Sequence, residues 1–174
     1  MPSVLDLINK PLVTAIGVPV VLGMSVGSLT RHSVRTWYPA LNKPSWTPPN
    51  WVFPVAWTSL YASMGYASYL IYRAGEINPL IDTSSALKLY AGQLALNLAW
   101  TPLFFGVHRL GAATVDIVAL LGSVVATAVE FGKIDGTAGW LMAPYAAWVA
   151  YATSLTIYIW RNNGKRGPAG RKAL

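Results

Sequence analysis

The sequence has no cysteine, which excludes disulfides and thiolate chemistry. It is also short of charge. Only 11% of its 174 residues are Asp, Glu, Lys or Arg, against about 25% in a soluble domain. So few charges cannot cover a water-facing surface, and with 54% hydrophobic residues the solvent of this chain is largely lipid. Histidine is scarce too: His32 and His108 are the only two, each at the end of an apolar run. There is no histidine pair at metal spacing, no Gly-x-Ser-x-Gly elbow and no phosphate-cradling glycine loop. No catalytic or metal-ligating residue is assigned, no cofactor is required, and catalysis finds little support. The formal net charge of +7 raises nucleic acid as a partner. No basic amphipathic element or base-stacking platform lies outside the apolar runs, so nucleic acid is excluded.

What is present is apolar length. Crossing a bilayer core as helix takes about 20 mostly apolar residues, and five stretches qualify: 11–29, 51–72, 87–105, 111–131 and 138–160. The expected fold is an all-α membrane protein. It is a single domain over residues 1–174, a bundle of five transmembrane helices with a basic tail over 161–174. Lys10 ahead of the first run, with Gly23, Ser25 and Gly27 behind it, resembles a cleavable leader. Pro19 inside the run, and one Asp beside one Lys before it, favour a retained helix. Lys10, Arg73, Lys88 and Lys133 fall on one side of such a bundle. The other nine of the thirteen cations fall on the opposite side. The first loop and the C-terminus are therefore expected in the cytosol.

The first loop is the most unusual segment. Trp37-Tyr38-Pro39-Ala40-Leu41-Asn42-Lys43-Pro44-Ser45-Trp46-Thr47-Pro48-Pro49-Asn50-Trp51 holds four prolines and three tryptophans. Prolines bar helix interior, so an ordered non-helical cap is expected, with Asn50 capping the second helix and Pro54 in that helix's first turn. Such a loop reads either as a lid over a pocket or as an aromatic belt at the membrane rim. Three stripes lie beneath it: Phe53, Trp57 and Tyr61; Gln93, Asn97 and Trp100; Tyr145, Trp148, Ala152 and Leu155. Each has i, i+3/i+4 spacing and so one face. Core packing accounts for any single stripe. Three together, with one amide pair, resemble a site for a flat, mostly apolar ligand.

Ala91, Ala95 and Ala99 lie opposite Gln93 and Asn97 on the third helix, a small-residue face on which a second copy can pack as a homodimer. Asp116, inside the fourth run, reads as an interhelical hydrogen bond to Arg109 or a tyrosine, or as a proton relay. Leu155, Tyr158 and Arg161 fit a short sterol-contact pattern that an ordinary interfacial helix end also satisfies.

These residues carry a resemblance. The run Trp37-Tyr38-x-x-Leu41-x-Lys43-Pro44-x-Trp46-x-Pro48-Pro49-x-Trp51 resembles the signature of the translocator protein family, the tryptophan-rich sensory proteins. So do Gly92-Gln93-Leu94-Ala95-Leu96-Asn97, Trp100-x-Pro102-x-Phe104-Phe105-Gly106 and Pro144-Tyr145-x-x-Trp148. The resemblance implies a five-helix bundle with a pocket under the first loop. It implies binding of porphyrins and haem, sterols, and benzodiazepine-type ligands. By motif it carries a pocket role to Trp57, Asn97, Trp100, Trp148, Ala152 and Leu155, and a sterol role to Tyr158 and Arg161. The candidate pocket is completed by Trp46, Pro48, Pro49, Phe53, Gln93 and Tyr145. Ala112 and Ile157 depart from aromatic residues of mammalian-like relatives, and Lys88 stands where some relatives carry Gly. The resemblance implies a membrane receptor or carrier for tetrapyrroles and sterol-like lipids, placed in the mitochondrial outer membrane. A porphyrin-degrading enzyme, and a structural partner protein tuned by its ligand, are the alternatives.

Overall fold

A computed structural model of the chain describes residues 9–163. Most of the basic tail, from residue 164 onward, lies outside the described residues, as do residues 1–8. Within the described residues every regular element is a helix, the α-helices being α1 (Lys10–Leu29), α2 (Arg31–Thr36), α3 (Val52–Ile77), α4 (Ser84–Thr101), α5 (Leu110–Ile134) and α6 (Gly136–Asn163). Five of the six are 18 to 28 residues long, and α2 has six. By length and composition, α1 and α5 are apolar enough to cross a membrane. The five runs expected from the sequence all form long helices, but α3, α4 and α6 fall below that apolarity. Their stripes of Trp, Tyr, Ser, Gln and Asn are the cause.

Local chemistry sets several boundaries. Asn9 starts α1, its Oδ1 accepting the Leu12 N–H at 3.2 Å, with Pro11 in the first turn where a missing N–H costs little. The third long helix was expected to run to residue 105. It instead stops at Thr101 and continues as one wide π-type turn, Pro102–Gly106. Pro102 has no N–H to give the preceding turn, so the hydrogen-bond register slips by one. The first loop is not wholly non-helical: Tyr38–Ala40 form a 3-10 turn, which the fixed φ of Pro39 favours. Asn50 does not cap α3. Trp51 occupies that position, with no side-chain cap, and Pro54 sits in the first turn.

Close approach of backbones, rather than apolar burial alone, holds helices together in lipid. The α5–α6 hairpin has the most extensive helix–helix contact, and a Cβ on Gly139 would lie 2.6 Å from Gly132 Cα. Helix α1 packs mainly on α3, where a Cβ on Gly65 would lie 2.4 Å from the Ala15 carbonyl oxygen. The main core runs along α3, α5 and α6, with Met64, Ile71, Val124, Phe131, Met142 and Tyr145 inaccessible. A second core gathers Tyr38, Phe104, Leu110, Ala113, Leu155 and Ile159 at the end of the bundle that carries the first loop.

Candidate functional site

The three predicted stripes converge. Period 3.6 places Phe53, Trp57 and Tyr61 on the inner face of α3, Gln93, Asn97 and Trp100 on α4, and Tyr145, Trp148, Ala152 and Leu155 on α6. Trp57 is the hub. Its ring centroid lies 5.7 Å from Tyr61, 6.3 Å from Tyr145 and 6.4 Å from Trp148, the last at 89°. Phe53 meets Trp148 edge-on at 6.0 Å. Aromatic rings prefer such tilted and edge contacts to face-to-face stacking.

A polar chain crosses the bundle beside this cluster. The Tyr61 hydroxyl donates to Asn97 Oδ1. Asn97 Nδ2 donates to the Tyr145 hydroxyl at 2.8 Å, and that hydroxyl donates to Gln93 Oε1 at 2.8 Å. Gln93 Nε2 faces Met64 Sδ at 3.6 Å. All these side chains are buried. Each amide oxygen and nitrogen thus has a protein partner, which keeps the buried dipoles satisfied away from water. Two donors in the same region have none: the indole N–H groups of Trp100 and Trp148 are buried without a partner among the described residues.

Trp100 packs against both cores, its ring stacking on Phe104 at 5.0 Å and 26°. Leu155 belongs to the second core, and Ala152 to the main one. Trp46 lies on the outer side of α6, edge-on to Tyr151 at 5.5 Å and to Tyr158 at 6.4 Å. It is joined to the inner cluster through Tyr151, whose ring lies 5.7 Å from Trp148. Pro48 is half-buried and Pro49 exposed, its carbonyl accepting the Val52 N–H. The sterol-contact trio does not share one face. Leu155 is buried, while Tyr158 and Arg161 are exposed. Ala91 and Ala95 are exposed and Ala99 half-buried, on the face opposite the buried Gln93 and Asn97.

The first loop is tied down at three places. Asn163 Oδ1 accepts the Asn42 N–H at 2.9 Å, and Asn163 Nδ2 donates to the Asn42 carbonyl at 3.0 Å. The Tyr151 hydroxyl donates to the Trp46 carbonyl at 2.9 Å. The Trp37 indole stacks on the His108 imidazole at 4.0 Å, with His108 held at φ 55°. Tyr38 closes over Phe104 and Phe105, with Lys43 Nζ 4.5 Å from its ring centre, and burial pushes its phenol up to about 12. Tyr151, Asn163 and Asn42 were not singled out from the sequence. Tyr151 follows Trp148 by three on one helix face and carried a readable signal, whereas the asparagine clamp carried none. Asp116 does not make the expected hydrogen bond: its Oδ2 is buried without a partner among the described residues.

The profile of the TspO/MBR family matches residues 15–161. The chain is 44% identical to the translocator protein of Homo sapiens over 149 residues, 84% of this chain and 87% of that protein. It is 47% identical to the translocator protein of Sus scrofa, covering 75% and 78%. It is 43% identical to the tryptophan-rich sensory protein of Cereibacter sphaeroides, covering 76% and 80%.

Proposed function

This chain belongs to the TspO/MBR family, and from that premise we propose that it is a membrane receptor or carrier for flat tetrapyrroles and sterol-like lipids. All five long helices cross the bilayer in this reading. The aromatic and polar stripes that lower the apolarity of α3, α4 and α6 face inward, and lipid meets the remaining faces. Porphyrin, haem and benzodiazepine-type molecules are ligands here, not resident cofactors.

The observation that carries the reading is the Trp57–Trp148 pair at 89°, flanked by Phe53 and Tyr145. It offers large apolar ring faces, and the unpaired Trp148 and Trp100 N–H groups offer donors to a carbonyl or carboxylate edge. A pocket of this kind is mostly apolar with few orienting groups. The amides of Gln93 and Asn97 serve it indirectly, by holding Tyr145 and Tyr61 in place. The first loop, with Trp46, Pro48 and Pro49, covers the mouth. Tyr158 and Arg161 meet a sterol from the lipid side, with Leu155 packed behind them. The small face of Ala91, Ala95 and Ala99 pairs two copies. The mitochondrial outer membrane, with the first loop and C-terminus cytosolic, is the proposed location.

The test is titration of the protein in bilayer discs with protoporphyrin IX, following tryptophan fluorescence, with Trp57→Phe and Trp148→Phe alongside. Saturable quenching that weakens in both variants supports the pocket. Unsaturable quenching, equal in all three proteins, means that the porphyrin only partitions into lipid and overturns the reading. Loss of the porphyrin spectrum on illumination, dependent on Trp57 or Trp148, moves the assignment to a porphyrin-degrading enzyme.

A further inference from the structure

The charges of this chain are sorted by end. In the first loop and at the α4–α5 and α6 termini stand Arg31, Arg35, Lys43, Arg109 and Arg161, followed in sequence by Lys165, Arg166, Arg171 and Lys172. No acidic residue stands with them. The nearest, Asp116, lies nearly two turns inside α5. At the far end, among the described residues, Lys10, Arg73, Lys88 and Lys133 are matched in number by Glu76, Asp82, Glu130 and Asp135. There Lys133 is further neutralised by Glu130 at 2.6 Å, the one ion pair among the described residues.

At the first-loop end, Arg31, Arg35, Arg109 and Arg161 are all exposed. Lys43 is set apart, since its Nζ is turned onto the Tyr38 carbonyl at 3.2 Å. The arginines sit on neighbouring segments. Arg35 stands in the last turn of α2, two residues before Trp37, which stacks on His108 beside Arg109. Gly111, two residues on, faces the Trp160 indole beside Arg161, with a Cβ there reaching within 3.3 Å of Nε1. Exposed Trp51 and Trp160 stand at the same end, at the depth where indoles meet headgroups.

We infer that this rim is a binding surface for anionic phospholipid headgroups of the leaflet that faces the first loop. The occupant follows from placement and chemistry. Arginine at the end of an apolar helix meets the phosphate layer, and its planar fork engages phosphate oxygens by two parallel hydrogen bonds. With no Asp or Glu side chain among them, the four exposed guanidinium groups are open to anions from outside the chain. Bound lipid adds a further anchor at the first-loop end, beside the loop's ties to α6. The inference rests on the membrane-bundle reading above and is independent of the pocket's ligand.

The test uses the full chain reconstituted in phosphatidylcholine bilayers, probed with trace spin-labelled phosphatidylcholine or phosphatidylserine. Motionally restricted phosphatidylcholine reports a bundle in lipid, and its absence would remove the bundle reading itself. Given that signal, phosphatidylserine is expected in the restricted shell with a preference of about fivefold, equivalent to one basic side chain's attraction for an anionic surface. The preference should fall toward parity in Arg31→Gln/Arg35→Gln/Arg109→Gln and in high salt. It should persist in Lys10→Gln/Arg73→Gln/Lys133→Gln. A restricted shell without headgroup preference overturns the inference and leaves the rim to an acidic protein partner. So does a preference that only the far-end variant abolishes.

Discussion

The Tyr145 hydroxyl donates to Gln93 Oε1 at 2.8 Å, which ties the middle of α6 to α4 across 52 residues of sequence. The Tyr145 hydroxyl oxygen also accepts from Asn97 Nδ2, so one hydroxyl completes two amides. Tyr145→Phe leaves both amide groups buried and short of a partner. Interhelical hydrogen bonds in membranes are worth about 0.6 kcal/mol each, and an orphaned buried polar group costs about 1–3 kcal/mol. A loss of about 1–3 kcal/mol is expected, read as a lower midpoint of thermal unfolding by circular dichroism in detergent. An unchanged midpoint would show that the polar chain is not a structural tie.

Gly139→Ala should destabilise the α5–α6 hairpin, because the new methyl meets Gly132 Cα, which cannot turn aside as a side chain can. Overpacking of this kind costs about 1–3 kcal/mol. Gly122→Ala is the matched control: no atom lies within 4 Å of a Cβ there, and greater helix propensity is its only effect. Equal midpoints for the two variants would refute the close approach.

Asn163→Ala removes both hydrogen bonds to the Asn42 backbone and leaves the core untouched. Each such bond is worth about 0.5–1.5 kcal/mol, enough to speed local opening several-fold. Amide hydrogen exchange over residues 37–51 should quicken while the global unfolding midpoint stays put. Exchange as slow as in the parent protein would mean that Tyr151 and the Trp37–His108 stack hold the loop alone.

Ala95→Leu should abolish a dimer formed through the exposed small face of α4, since the larger side chain separates backbones that associate by close approach. Chemical crosslinking in bilayers reads the result. Val118→Leu, exposed on α5, controls for a general change of surface. A dimer that survives Ala95→Leu would move the contact to another face.

The inner face of each stripe was legible because helix period is local. Gln93 and Asn97 share a face that the bundle buries, and Ala91 and Ala95 lie on the opposite, exposed face, as spacing alone required. The partnership of the amides was not legible. Spacing assigns them to the candidate pocket, and the fold sets the Tyr61 and Tyr145 hydroxyls against them. Nothing within α4 specifies how far α3 and α6 rotate to present those hydroxyls.

Taken alone, the sequence determined that this chain is built of long helices for an apolar surround, where they begin within a few residues, and which end is basic. Those properties follow from composition, period and proline, each acting over a few neighbours. Only the tertiary structure decided that Trp46 rests outside α6 on Tyr151, that Trp100 stacks on Phe104, and that Asn42 is clamped by Asn163, 121 residues away. Such contacts depend on the rotation and offset of whole helices, which packing of the entire bundle sets and no local pattern encodes.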